Sequence, residues 1–143
     1  MSIVSSSANC LVPPSVACSK IMSDAGIKAW WIGNIHIKKV DSSWPSVGTQ
    51  MIWNAGGGTF SGQITKDQRP ASIEMRVSTP SADSIIIHSF EPLSNGGTRY
   101  TKSVEPIFRT RISRFFGPLF TFVLRKFVMN EVKRAAAFAD LKS

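Results

Sequence analysis

Apolar residues recur with a helical period from about Ser113 to Leu141, and with a period of two through most of the chain before it. In the first half of the helical stretch Ile112, Phe116, Leu119, Phe120, Val123 and Phe127 share one stripe, with Arg114 and Arg125 on the opposite side. That division predicts a helix with one buried and one solvated face. A helix of this length, about 40 Å at the standard rise, covers a whole small sheet. Gly117-Pro118 interrupts the pattern. Proline removes a backbone hydrogen bond, so the helix either kinks there or begins there, with 109–116 as an irregular lead-in. Farther along, Val128, Val132, Ala135 and Ala139 lie off the earlier stripe.

The preceding chain predicts a first strand over Ile3 to Leu11, ended by Val12-Pro13-Pro14. Pro13 or Pro14 opens a short helix to about Met22. A second helical turn covers Ala25 to Trp30. Strands are expected over 31–40, 48–53, 60–66, 72–78, 84–91 and 98–105, with Pro106 breaking the last. In the second strand Ile35, Ile37 and Lys39 fall on one side. In 72–78, Ile73, Met75 and Val77 alternate with Ser72, Glu74, Arg76 and Ser78, as in a half-buried antiparallel strand. Gly56 to Gly58 mark a hairpin, and Pro80 to Asp83 and Pro92 to Gly97 mark turns. The expected order is one strand, two short helices, six strands in a meander and a long helix.

A chain of 143 residues fits a single domain, 1–143, with a core of its own. Its longest apolar run, Phe115 to Leu124, falls well short of the roughly 18 residues that a membrane span needs. The Ser-rich start lacks the charged and apolar blocks of a secretory signal, so cytoplasmic residence is expected. Cys10 and Cys18 match neither a CxxC redox pair nor a zinc pattern. They read as reduced structural thiols, or as a bridge formed only under oxidation.

The net charge is +8, and the positive residues crowd the last third: Arg109, Arg111, Arg114, Arg125, Lys126, Lys133 and Arg134. A solvated helix face is the plain reading. Attraction to anionic lipid is a further one. Nucleic acid is not expected as a partner, because the aromatic stripe lies away from the arginines.

Together with this order, the segments Val47-Gly48, Arg69-Pro70, Phe90-Glu91-Pro92 and Gly97-Thr98-Arg99 and a Gly117-Pro118-Leu119 helix resemble the START-like SRPBCC superfamily. The polyketide cyclase/dehydrase branch is the most similar. The resemblance spans nearly the whole chain. It implies an α+β helix-grip fold, in which a seven-stranded curved antiparallel sheet wraps around the long C-terminal helix. It also implies an elongated cavity between them that takes a hydrophobic small molecule.

If Ile73, Met75 and Val77 face the concave side, the alternation supplies a lining. Met51 and Trp53 come from one strand, Phe60 and Ile64 from the next, and Ile86, His88 and Phe90 from the sixth. Tyr100 comes from the seventh, with Lys102 more readily reaching solvent. Phe116, Leu119, Phe120, Val123 and Phe127 descend from the helix. The aromatic and methionine content suits an adaptable apolar ligand in a hollow of roughly 300–1,000 Å³, and core packing is the alternative for each residue.

His88 and Tyr100 are the candidates for chemistry, as acid/base and hydroxyl donor, or as groups that only orient a ligand. Glu105 pairs with one of Arg109, Arg111 and Arg114 in this reading. His36 is assigned to the exposed side. No nucleophile elbow, Walker loop, dinucleotide fingerprint or metal cluster occurs in the sequence, and no cofactor is expected. The leading expectation is a binder of a lipid- or polyketide-like molecule. The alternatives are a cyclase-, aromatase- or dehydratase-type enzyme using His88, and a peripheral membrane or lipid-transfer module whose basic helix face docks on an anionic bilayer. An exposed Trp44 or Trp30 leaves a homodimer open.

Overall fold

The computed structural model describes residues 3–31, 34–78 and 82–141. Strand β1 (Val4–Cys10) is followed by helices α1 (Pro14–Ile21) and α2 (Asp24–Trp30). A meander then runs through β2 (Ile35–Val40), β3 (Gln50–Ala55), β4 (Gly58–Gln68), β5 (Ser72–Ser78), β6 (Ala82–Pro92) and β7 (Thr98–Phe108). A short helix α3 (Arg111–Phe115) leads into α4 (Gly117–Ala139). All neighbouring strands pair antiparallel, in the order β1-β7-β6-β5-β4-β3-β2. The meander places consecutive strands side by side, and β1 joins the far edge of β7. This is the helix-grip α+β arrangement.

Local chemistry sets most boundaries. Pro14 opens α1, and the Ser23 hydroxyl accepts from the Gly26 N–H to cap α2. Gly56 and Gly57 take positive φ in the tight β3–β4 turn, where a side chain would be strained. The third strand starts at Gln50 and not Gly48, because residues 41–49 are folded into turns by Trp44 N–H to Asp41 O and Ser46 N–H to Ser43 O. The turn expected at 80–83 lies partly outside the described residues, and β6 begins already at Ala82.

Two strand readings are corrected. Pro106 does not end β7: it pairs with Ser84 on β6, beyond Val4↔Val104, the last described pair with β1. Proline is tolerated where a strand edge has no ladder to complete. In β2 a bulge between Ile37 and Lys39 shifts the alternation, so Lys39 turns to solvent and Val40 turns in.

The helix departs most from expectation in the phase of its buried stripe, whereas its start is one of the two alternatives the sequence offers. Gly117-Pro118 starts α4, and Arg111–Phe115 forms a separate turn before it. The buried stripe is Val128, Glu131, Val132, Ala135, Ala136 and Ala139; the aromatic stripe is exposed. These two stripes differ in helical phase, so only one can meet the protein interior. Valine and alanine allow close approach to β1 and α2, against which α4 chiefly packs. The C-terminal end is also tied down. Lys20 Nζ donates to the carbonyls of Ala139, at 3.2 Å, and Leu141, and Asp140 Oδ1 accepts from the Leu11 N–H at 2.7 Å. The two lysine contacts satisfy carbonyls that a helix end leaves open. The N-terminal half touches the end of β7, where the Phe108 ring meets Phe120 edge-on at 5.4 Å, and its large apolar side chains are otherwise half-exposed or exposed.

Candidate functional site: a groove between the sheet and the helix

The alternation of the meander brings Met51, Trp53, Ile64, Ile73, Met75, Val77, His88, Phe90 and Tyr100 to the buried concave face, as the sequence predicts. Gly62 is part of the same design. A Cβ there would lie 2.7 Å from Met75 Cε and 3.2 Å from the Trp53 ring, so the bare backbone lets that indole lie flat across the sheet. Trp53 stacks on Phe60 at 5.7 Å between ring centroids, and Trp31 meets both rings edge-on.

Above this floor, under α4, lies an open groove of about 230 Å³. Its sheet side is Phe60, Val77, Ser84, Ile86, Lys102 and Val104, and its helix side is Phe120, Leu124, Phe127 and Glu131, with Trp31 beside them. An inner chamber of about 20 Å³ shares Trp31, Val77, Ile86 and Lys102 with the groove. Its other walls include Met51, Trp53, Met75 and His88. The hollow is smaller than the sequence reading allowed, because the tryptophan cluster fills much of the concavity.

The expected lining residues therefore separate. Phe60, Ile86, Phe120 and Phe127 line the groove, and Met51, Trp53, Met75, Ile86 and His88 line the chamber. Phe90 and Tyr100 stack on each other in the core at 5.3 Å. Phe116, Leu119 and Val123 are exposed and outside the groove lining, because their side of α4 turns away from the sheet.

A buried ion pair spans the groove. Lys102, expected near solvent, is 3% exposed and donates from Nζ to Glu131 Oε1 at 3.1 Å. Its ammonium also sits 4.3 Å from the Trp30 ring centroid, which adds a cation–π attraction. Neither residue stands out alone. The usable signal is one charge in each of two facing apolar stripes, Lys102 between Tyr100 and Val104 and Glu131 between Val128 and Ala135. Such charges are rarely buried unless paired.

Glu105 is not the arginine partner anticipated at the strand–helix junction. Asp83 takes that role, bridging Arg76 at 2.8 Å and Arg109 at 2.6 Å. His36 is exposed, as expected. Trp30 is buried, so it offers no face for pairing, and Trp44 is half-buried with its indole N–H donating to the Met22 carbonyl.

His88 is fully buried, and its Nδ1 lies 2.7 Å from the Tyr100 hydroxyl. That hydroxyl has no other partner among the described residues, so its hydrogen is satisfied only by donation to Nδ1. The Nε2 atom then carries the imidazole hydrogen. Burial first, and the Lys102 charge second, push the His88 pKa well below its usual value, so the ring is neutral near pH 7. Burial, with Glu131 next, pushes the Tyr100 phenol well above its usual value. His88 Nε2 and Trp53 Nε1 are the two buried side-chain polar atoms without a partner among the described residues. Both residues wall the inner chamber. An unpaired buried polar group costs roughly 1–3 kcal/mol, which a ligand oxygen would offset.

Cys10 and Cys18 are free and buried, and desolvation raises each thiol to about 11, so neither is a reactive thiolate. A second hollow of about 430 Å³ lies away from α4, bounded by polar residues including Ser23, Asp24, Asp41 and Arg69. It is larger but has no unpartnered buried group among its described residues. No group of described residues is arranged to hold a metal ion, and no helix among them is long and apolar enough to cross a membrane.

No protein-family profile matches the chain, and no curated protein does. Solved structures do resemble it. A hypothetical protein of Helicobacter pylori superposes with a TM-score of 0.76 at 11% identity, covering 96% of this chain and 88% of that one. A protein of Thermus thermophilus gives 0.73 at 13% identity, covering 96% and 97%. The Aha1 dimer of Colwellia psychrerythraea, a solution structure, gives 0.59 at 16% identity, covering 90% and 94%. At these identities the likeness concerns the fold.

Proposed function

We propose that this protein is a START-like SRPBCC domain that binds a small hydrophobic molecule in the groove beneath α4. The single observation behind this reading is an open apolar groove beside a small chamber, sharing Trp31, Val77, Ile86 and Lys102 with it, whose walls include the two residues with unpartnered buried nitrogens, His88 and Trp53. Apolar walls with few polar groups are the usual make-up of a small-molecule site. The ligand's apolar body would lie against Phe60, Ile86, Phe120 and Phe127. Its polar end would carry an acceptor oxygen, as a ketone, ester or carboxylate does, directed at His88 Nε2 and Trp53 Nε1.

The His88–Tyr100 contact also admits acid–base chemistry of the cyclase kind. A neutral imidazole whose acceptor nitrogen is already occupied by Tyr100 is better placed to donate a hydrogen bond than to take up a proton. Binding is therefore the favoured role. Native mass spectrometry of protein purified without detergent is expected to show a one-to-one adduct of an apolar small molecule. A bare mass, together with no saturable uptake of decanoate, would count against the reading.

A further inference from the structure

The aromatic stripe of α4 belongs, by its composition, in a core, yet it faces outward. Ile112, Phe115, Phe116, Leu119, Phe122 and Phe127 are all exposed, Phe115 at 79% and Leu119 at 61%. Soluble monomers rarely present so many large apolar side chains together unless something covers them. The same segment is unusual in charge. From Pro106 to Asn130 there are five basic residues, Arg109, Arg111, Arg114, Arg125 and Lys126, and no acidic one. Arg109 is engaged with Asp83, and Arg111, Arg114, Arg125 and Lys126 are exposed. Lys126 lies over the Phe122 ring at 4.9 Å, which puts cation and apolar surface in one patch.

We propose that α3 and the N-terminal half of α4 dock on an anionic lipid bilayer, with phenyl and aliphatic side chains entering the interface and the arginines meeting lipid phosphates. Helices with bulky apolar and basic residues and no acids lie in the headgroup region for this reason. Charge decides against a second copy of this chain as the cover, since that would bring the four exposed cations Arg111, Arg114, Arg125 and Lys126 of each protomer face to face. Single-stranded nucleic acid would use the phenyl rings, but it gains little from Ile112, Leu119 and Met129, which have no π-face to stack on. The patch adjoins the groove through Phe120 and Phe127, so a docked protein would have the groove mouth at the membrane surface.

Co-sedimentation with phosphatidylserine-containing vesicles tests this independently of whether the groove takes a ligand. Binding is expected to fall as salt rises and to be weak on phosphatidylcholine alone. Each basic residue near the surface contributes roughly a fivefold factor in partition, so Arg111→Glu with Arg125→Glu should lower binding by about 25-fold or more. Leu119→Ser with Phe122→Ser, both outside the groove, should also release the protein while decanoate uptake in solution is kept. Three results would overturn the proposal: binding indifferent to salt and to both double variants, a concentration-dependent dimer abolished by Leu119→Ser with no vesicle binding, or capture of a single-stranded oligonucleotide in preference to vesicles. Loss of decanoate uptake with vesicle binding intact would count against the groove reading alone.

Discussion

Glu131→Ala is expected to destabilise the fold by about 3–5 kcal/mol, because it leaves the Lys102 ammonium buried without its counter-charge. The side chains of the pair are 4% and 11% exposed, so water screens the interaction poorly. The neighbours offer little relief. Trp30 gives a cation–π contact, and the Tyr100–His88 pair is neutral near pH 7. Replacing both partners, as Lys102→Met with Glu131→Leu, should recover most of the loss, since two apolar residues of similar size need no pairing. Urea denaturation of the single and double variants reads the difference. A single-variant loss below about 1 kcal/mol would place the pair among solvated surface bridges and contradict the burial argument.

The second large effect concerns binding. Ile86 lines both the groove and the inner chamber, so it stands at the passage between them. Ile86→Trp fills that passage from a strand whose backbone is held on both sides, by Met75 on β5 and Val104 on β7. Affinity for an apolar fluorescent probe such as N-phenyl-1-naphthylamine should fall at least about tenfold, or roughly 1.4 kcal/mol. Because Ile86 is only half-buried and its side chain borders open space, the fold should survive, as far-UV circular dichroism would show. Unchanged affinity in a folded variant would mean that the probe binds elsewhere, for instance on the exposed aromatic patch.

The sheet was legible because strand alternation has a short, strict period. Once Ile73, Met75 and Val77 are assigned inward, register carries the assignment across to Trp53, His88 and Tyr100. Where a bulge breaks the period, as between Ile37 and Lys39, the reading fails for the residues after it. The phase of α4 was not legible. Its sequence carries two apolar stripes, one aromatic and one of valine and alanine, and only packing against β1 and α2 decides between them. The bulkier stripe looked like the core, but the smaller one permits the closer approach and holds the Glu131 partner of Lys102.

Long-range pairing escaped for a related reason. Lys102 and Glu131 lie 29 positions apart on different elements, and each alone looks like an ordinary solvated charge. Trp30 and Trp31 belong to the same class, since a short helix and a loop lack a period long enough to orient them. His88 and Tyr100 were found because both sit on well-patterned strands. Their direct contact could not be inferred, although they lie on neighbouring strands, because the Cα partner of His88 is Lys102 and that of Tyr100 is Phe90.

The occupancy of the groove is best tested by following the four indole N–H signals by NMR as decanoate is added. The Trp53 indole walls the chamber, the Trp31 ring borders groove and chamber alike, and the Trp44 indole lines neither, its N–H being committed to the Met22 carbonyl beside the polar hollow. Binding beneath α4 predicts saturable shifts at Trp53 and Trp31, contacts from the ligand chain to Phe60 and Phe120, and a still Trp44. Shifts centred on Trp44 beside the polar hollow, or none at any indole, would contradict it.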